Sequence, residues 1–314
     1  MPQKIESYRT TWTRWTQPFR RASFQPSQLL PSFLIVGPPR TGTSWLHEVL
    51  RKRAVLPKSV KETRFFDAHF HHGMSWYRAH YAVAEGNGCI GEVAPTYFAS
   101  QDARRRIKAL LPDAKIVCIF RDPVERILSL YRVKRAYGII PWSFEQAILC
   151  DPELTESSRY ATHLKAWQRE LGADQVWATL YDDLRDTPQA YVNRLADFLG
   201  IPRFSLSPEE LGSVHASETM THPRCYLRTR SATLLAEWLK ARHFGHLVAA
   251  VKSSPLSKLF LGGGLAFSGL SRELSLATQE LFRREIDELE EMVQRDLSSW
   301  KPLQSRLTST GVAV

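Results

Sequence analysis

The run Phe33-Leu34-Ile35-Val36-Gly37-Pro38-Pro39-Arg40-Thr41-Gly42-Thr43-Ser44 passes from four apolar residues, through a turn of Gly and Pro, to two hydroxyl side chains. A short apolar run that stops at Gly predicts a buried strand over 32–36. After the turn, Trp45, Leu46, Val49 and Leu50 recur at helical spacing, which predicts a helix over 44–53. Strand, tight loop and helix in this order, with the spacing GxxxxG, outline a phosphate-binding loop. Its glycines permit a tight turn, and the backbone N–H groups of residues 41–45 would face an anion at the helix N-terminus, where the macrodipole adds attraction. The place usually held by the loop lysine is Thr43. A nucleoside triphosphatase would lack the charge that grips its β- and γ-phosphates. Arg40 supplies a cation from another position in the loop.

Further strands are expected over 89–93 and 115–120. The second, Ile116-Val117-Cys118-Ile119-Phe120, is apolar on both faces, as a central parallel strand would be. A helix over 101–111 ends at Pro112. Asp122-Pro123 supplies an N-cap and a proline at the first helical position, opening a helix to about Tyr137. A helix over 159–171, a strand over 175–180 and a helix over 188–199 ended by Gly200 follow. This alternation predicts a three-layer, P-loop-like α/β fold, a central parallel sheet flanked by helices, with a helical C-terminal region. Residues 1–31 read as a surface arm and 32–314 as one domain. Within it, 231–270 form a variable insertion. It holds a basic amphipathic helix from Leu234 to Val251 and an uncharged stretch from Leu259 to Leu270, read either as a lid or lipid-facing patch or as a helical cap on the sheet. A closing helix over 273–297 carries Leu281, Phe282, Ile286, Leu289, Met292 and Val293 on its docking face.

The 314 residues carry 42 Lys and Arg against 32 Asp and Glu, a net charge of +10, with 43% apolar residues, which excludes disordered and fibrous classes. The charge is segregated. Residues 1–140 hold 23 basic and 10 acidic side chains and the remainder 19 and 22, which places an anionic partner in the first part. Cys89, Cys118, Cys150 and Cys225 show neither metal nor disulfide spacing. With no apolar run of membrane length and no signal-peptide core, the expected location is cytoplasmic. Gly86-Asn87-Gly88-Cys89-Ile90-Gly91 matches GxGxxG but precedes a strand, so it reads as a turn. Arg104, Arg105 and Arg106 read as a solvated helix face, and no GxSxG or HExxH motif is present.

The phosphate-loop stretch closely resembles the 5′-phosphosulfate loop of sulfotransferases that use 3′-phosphoadenosine 5′-phosphosulfate (PAPS). A second stretch, Phe120-Arg121-Asp122-Pro123-Val124-Glu125-Arg126-Ile127-Leu128-Ser129, resembles the 3′-phosphate site of the same family. Lys61-Glu62-Thr63-Arg64-Phe65-Phe66-Asp67, Gly91-Glu92-Val93-Ala94-Pro95-Thr96-Tyr97 and the closing Asp296 to Trp300 resemble its heparan-type and bacterial carbohydrate branch. The resemblance runs over about 32–205 and resumes near 275. It implies that Arg40, Thr41, Gly42, Thr43, Ser44 and Trp45 cradle the phosphosulfate, and that Arg121 and Ser129 hold the 3′-phosphate. Arg126 reads as a helper or a solvated side chain, and one of Arg224, Arg228 and Arg230 as completing the pocket.

By the same resemblance the sulfuryl group passes in line to an acceptor hydroxyl or amine, leaving adenosine 3′,5′-bisphosphate (PAP), with no metal required. Glu62 is the expected base, Arg40 the cation on the transferring group, and Lys61 a partner of Glu62 or of the acceptor. Many carbohydrate members have Lys where this chain has Val93, which would pass that role to Lys61 or Arg64. The expected acceptor is a carbohydrate, glycolipid or secondary metabolite, with peripheral contact to lipid or a lipid-like acceptor and no nucleic acid. Two other readings stay open. One is a P-loop nucleotide kinase, told apart by ATP and Mg²⁺ dependence. The other is a noncatalytic binder of nucleic acid or membrane, told apart by salt-sensitive binding.

Overall fold

The computed structural model describes residues 30–58, 60–81, 89–212, 221–241 and 263–302, together with positions 248, 251 and 254. The surface arm expected over 1–31 falls almost wholly outside these, as do Gly86 to Gly88 and the first part of the uncharged stretch, Leu259 to Gly262.

Four parallel strands, β1 (Phe33–Ile35), β2 (Gly91–Val93), β3 (Lys115–Phe120) and β4 (Val176–Leu180), form one sheet in the order β2-β1-β3-β4. Phe33 stands opposite both Gly91 and Lys115, and Ile116 opposite Val176. Alternate side chains enter two cores, because the pleat sends successive residues to opposite faces. Leu34, Val36, Ile116, Cys118 and Phe120 pack on one side of the sheet. Phe33, Ile35, Val93, Val117 and Ile119 pack on the other. The second core is covered by α1 (Thr43–Leu50) and by α9 (Pro188–Leu199), which ends on Gly200 at φ +76°. The first is covered by α3 (Gln101–Leu110), α4 (Pro123–Ala136) and α7 (Tyr160–Leu171). The remaining helices up to this point are α2 (Gly73–Ala79), α5 (Phe144–Cys150), α6 (Pro152–Glu156) and α8 (Tyr181–Asp186). The expected α/β sandwich is present, with strands slightly shorter than their apolar runs.

Caps act as the residue types dictate. Asp122 accepts hydrogen bonds from the N–H groups of Val124 and Glu125 at 2.8 and 3.1 Å, with Pro123 at the first helical position. Ser100 caps α3 by accepting from Ala103 N–H.

Three expectations need correction. First, Arg104 and Arg106 are not solvated. Arg104 is 6% exposed and donates to the Phe98 carbonyl, and Arg106 donates to that of Phe66. Their apolar stems follow the buried face of α3, and only Arg105 faces solvent. Second, after α10 (Pro208–Gly212) the insertion is not all helical. β5 (Thr221–Pro223) pairs antiparallel with β6 (Gly263–Ala266), while α11 (Tyr226–Ala241) begins eight residues earlier than expected from Leu234. Third, the last helix, α12 (Arg272–Val293), buries Phe282, Ile286 and Leu289 but leaves Leu281 exposed. Leu281 shares its stripe with Glu285 and Glu288, at i+4 and i+7. Glu285 accepts from Thr162 N–H and Oγ1, and Glu288 binds Lys165, so this acidic stripe is itself fastened to α7.

Candidate functional site

The loop between β1 and α1 is shaped by two glycines. A Cβ on Gly37 would lie 2.3 Å from the Ile119 backbone nitrogen, and Gly42 sits at φ +89°, a region open to glycine. Gly42 is also the N-cap of α1. No side chain caps the helix there, and no acidic residue occupies its first turn. The first N–H groups of α1 are therefore left without a side-chain cap at the positive end of the helix dipole, an arrangement suited to an anion.

Arg40 has a φ of +77°, which is costly for a side-chain-bearing residue. Its Nε donates to Ser129 Oγ at 3.0 Å, which brings the loop to the first turns of α4. Arg121, at the end of β3, stacks 4.8 Å over the Tyr181 ring and binds Glu125 at 2.8 Å. Tyr160 Oη donates to the Arg121 carbonyl and holds its backbone. Burial, and next the nearby charge of Arg121, hold the Arg40 guanidinium below its ordinary value. Two guanidinium groups that repel each other beside a buried hydroxyl form a site stabilised by anions.

The other expected loop residues divide by role. Thr41 Oγ1 donates back to the Pro38 carbonyl, and Thr43 is buried, so both side chains shape the loop. The Trp45 side chain points away from the mouth: its Nε1 donates to the Glu210 carbonyl and its ring lies in the core. Ser44 Oγ accepts from Lys61 Nζ at 2.8 Å, and the same ammonium lies 3.4 Å from Glu62 Oε1. A short chain of contacts thus links the helix N-terminus, a cation and the expected base. Burial pushes the Glu62 carboxyl above its ordinary value, partly offset by Lys61.

Two buried charged side chains have partners that the sequence does not show. Glu92 on β2 is fully buried. It accepts from Thr63 N–H and Oγ1 at 2.8 and 2.6 Å, and from Tyr77 Oη at 2.8 Å. Tyr97 Oη stands within 3.4 Å of it and of the Phe66 N–H. Glu92 thereby fixes the residue that follows Glu62. Arg126, expected as a helper or solvated, is instead wholly buried. It donates to Ser158 Oγ and to the carbonyls of Leu154 and Pro39, tying the phosphate loop to α6. The acceptors are carbonyls distant in sequence, so only the fold reveals them. Val93 packs in the α1-side core opposite Ile35, and Arg224 and Arg228 are exposed beyond β5.

The family model described as "Sulfotransferase domain" matches residues 30–224. The chain belongs to the sulfotransferase family. This sulfotransferase is 31% identical over 198 residues to the human bifunctional heparan sulfate N-deacetylase/N-sulfotransferase 2, and 32% identical to the bovine protein of that name. In both cases the match covers 56% of the chain but only 22% of the relative, so the chain spans about a fifth of their length. The crystal structure of a sulfotransferase from Alicyclobacillus acidocaldarius superposes with a TM-score of 0.61 at 18% identity, covering 86% of this chain and 98% of that one, which shows the shared fold. Family and fold agree with the reading of the sequence as a PAPS-dependent sulfotransferase. No described helix is long and apolar enough to cross a membrane.

Proposed function

We propose that this sulfotransferase moves a sulfuryl group from PAPS to an acceptor hydroxyl, with Glu62 as base and Arg40 and Lys61 as the cations at the reacting end. The observation that carries the reading is the contact chain Ser44–Lys61–Glu62 at the uncapped N-terminus of α1. A donor with two separate anionic ends matches the residues present. The N–H groups of residues 41–45 and Arg40 would take the phosphosulfate, and Arg121 with Ser129 the 3′-phosphate. When bound, PAPS supplies an activated sulfuryl group on a phosphate leaving group. The chain then needs to orient, to neutralise charge and to take one proton. Glu62 is suited to the last task, because a carboxyl raised by burial accepts a proton more readily than an exposed one. Lys61 is placed to screen Glu62 and to orient it toward the loop. Val93 lies in the core, which favours Lys61 as the cation that replaces the missing one.

The acceptor is a carbohydrate, a glycolipid headgroup or a comparable metabolite. Transfer of radiolabelled sulfate from PAPS to an acceptor, compared between the wild-type chain and Glu62→Gln, tests the assignment. Equal turnover would sink Glu62 as base.

A further inference from the structure

A cleft of about 410 Å³ opens beside the phosphate loop, within the range of about 300–1,000 Å³ usual for small-molecule sites. Its near wall is Pro39, the neighbour of Arg40. Arg64 and Asp67, from the segment that carries Glu62, form a second wall. The turn after β2 contributes Pro95, Thr96, Ala99 and Ser100, and α6 with the following turn contributes Pro152, Glu153, Glu156 and Ser157. Arg126 joins Pro39 to Leu154 and Ser158, so the two sides of the cleft are braced by one buried guanidinium.

The charges lining this cleft are one guanidinium and three carboxylates. Arg64 is paired with Asp67 at 3.3 Å, Glu153 with Lys134 at 2.5 Å and Glu156 with Arg159 at 3.5 Å. Every lining charge is paired, so polyanionic chains such as the heparan sulfate for which the relatives are named would find no free cation among the lining residues. Their own anionic groups would lose water against walls whose single cation is already engaged. The uncharged lining has a different character. Three prolines and Ala99 offer flat apolar faces. Ser100 uses its lone pair on the Ala103 N–H and keeps its proton to give, whereas Ser157 gives its proton to the Glu153 carbonyl and keeps lone pairs. Thr96 Oγ1 is itself buried, so Thr96 lines the cleft as an apolar surface.

We propose that this cleft is the acceptor site and that it takes an uncharged, polyhydroxylated ring, a neutral sugar or a comparable polyol, rather than a polyanionic saccharide. The proposal rests on the sulfotransferase reading of the neighbouring site. Ring C–H faces would pack on the prolines, and hydroxyls would meet Ser100 and Ser157.

The test uses the full chain loaded with PAP. Binding of methyl β-D-glucopyranoside and cellobiose is compared by saturation-transfer NMR and calorimetry with that of a heparosan oligosaccharide, which is polyanionic. Neutral sugars are expected to bind more tightly than the polyanion. Ala99→Trp, which fills the cleft, is expected to weaken neutral sugars by about tenfold or more while PAP affinity is kept. Tighter binding of the polyanion, no binding of either neutral sugar, or unchanged binding in Ala99→Trp would each overturn the proposal. Failure of PAP itself to bind would overturn the donor reading and the acceptor site with it. Normal PAP binding with the wrong acceptor preference would overturn only the acceptor class.

Discussion

Glu62 and the two arginines define separable tasks at the scale of single residues. Replacing Glu62 with Gln keeps size and removes the base, so kcat should fall by roughly 10²–10⁴-fold with little change in PAP affinity. Burial holds the Glu62 carboxyl above its ordinary value, which fixes the sign of the pH dependence. The base works only when ionised, so kcat/KM is lost as pH falls through this raised value, and the acid limb should lie above the usual carboxylate range. A pH profile of wild type and Glu62→Gln checks this, because the limb should vanish in the variant. Arg121 is the residue proposed for the distal phosphate, so Arg121→Ala should weaken PAP by about 10–100-fold, the worth of a charge-assisted hydrogen bond. Arg40→Ala should mainly lower kcat. Calorimetry with PAP on both variants separates the two roles, and normal PAP binding by Arg121→Ala would remove that residue from the phosphate site.

At the scale of elements, β2 acts on the base indirectly. Glu92 gathers Thr63, Tyr77 and Tyr97 around one buried carboxylate, and Thr63 is the neighbour of Glu62. Glu92→Ala would leave these donors unmatched and should cost about 1–3 kcal/mol of stability, read from urea midpoints. Glu92→Gln keeps an acceptor oxygen and should recover most of that stability. If Glu92 also positions Glu62, the Gln variant will show a lower kcat with KM for PAPS unchanged. A Gln variant with normal kcat would reduce Glu92 to a stability role. This link could not be read from the sequence. The two segments are about thirty residues apart, and a carboxylate in a three-residue strand looks like any other polar residue until its donors converge. The strand–loop–helix unit around Gly37 and the Asp122-Pro123 cap were legible because each is written in neighbouring residues. The pairing of β5 with β6 was not, since both are three or four residues long, carry little periodicity and meet across some forty residues.

The whole molecule couples its charge to its donor. The positive excess of residues 1–140 includes Arg40, Lys61 and Arg121, and the repulsion between Arg40 and Arg121 would be relieved by the anionic groups of the proposed donor. Much of the remaining excess is engaged elsewhere: Arg53 with Glu210, Lys134 with Asp151, and Arg104 and Arg126 with buried carbonyls. Net charge in a sequence therefore does not by itself separate the proposed donor residues from those engaged in ion pairs and buried hydrogen bonds. Donor binding should be visible in global stability. At a concentration 100 times Kd, PAP should add about 2.7 kcal/mol, which raises Tm by several degrees. Arg121→Ala should lose most of this shift while its unliganded Tm stays near wild type, because among the described residues the side chain contacts the exposed Glu125 and the Tyr181 ring. Phe282→Ala on α12 should do the opposite. Phe282 is 3% exposed in the core on the α7 side, and its loss should cost about 3–5 kcal/mol and lower the unliganded Tm. Its PAP-induced shift should survive, because the donor site proposed here lies on β1, α1, β3 and α4. Thermal denaturation of the three proteins with and without PAP separates these cases. A shift lost equally in both variants would mean that the donor site and the distant core melt as one unit.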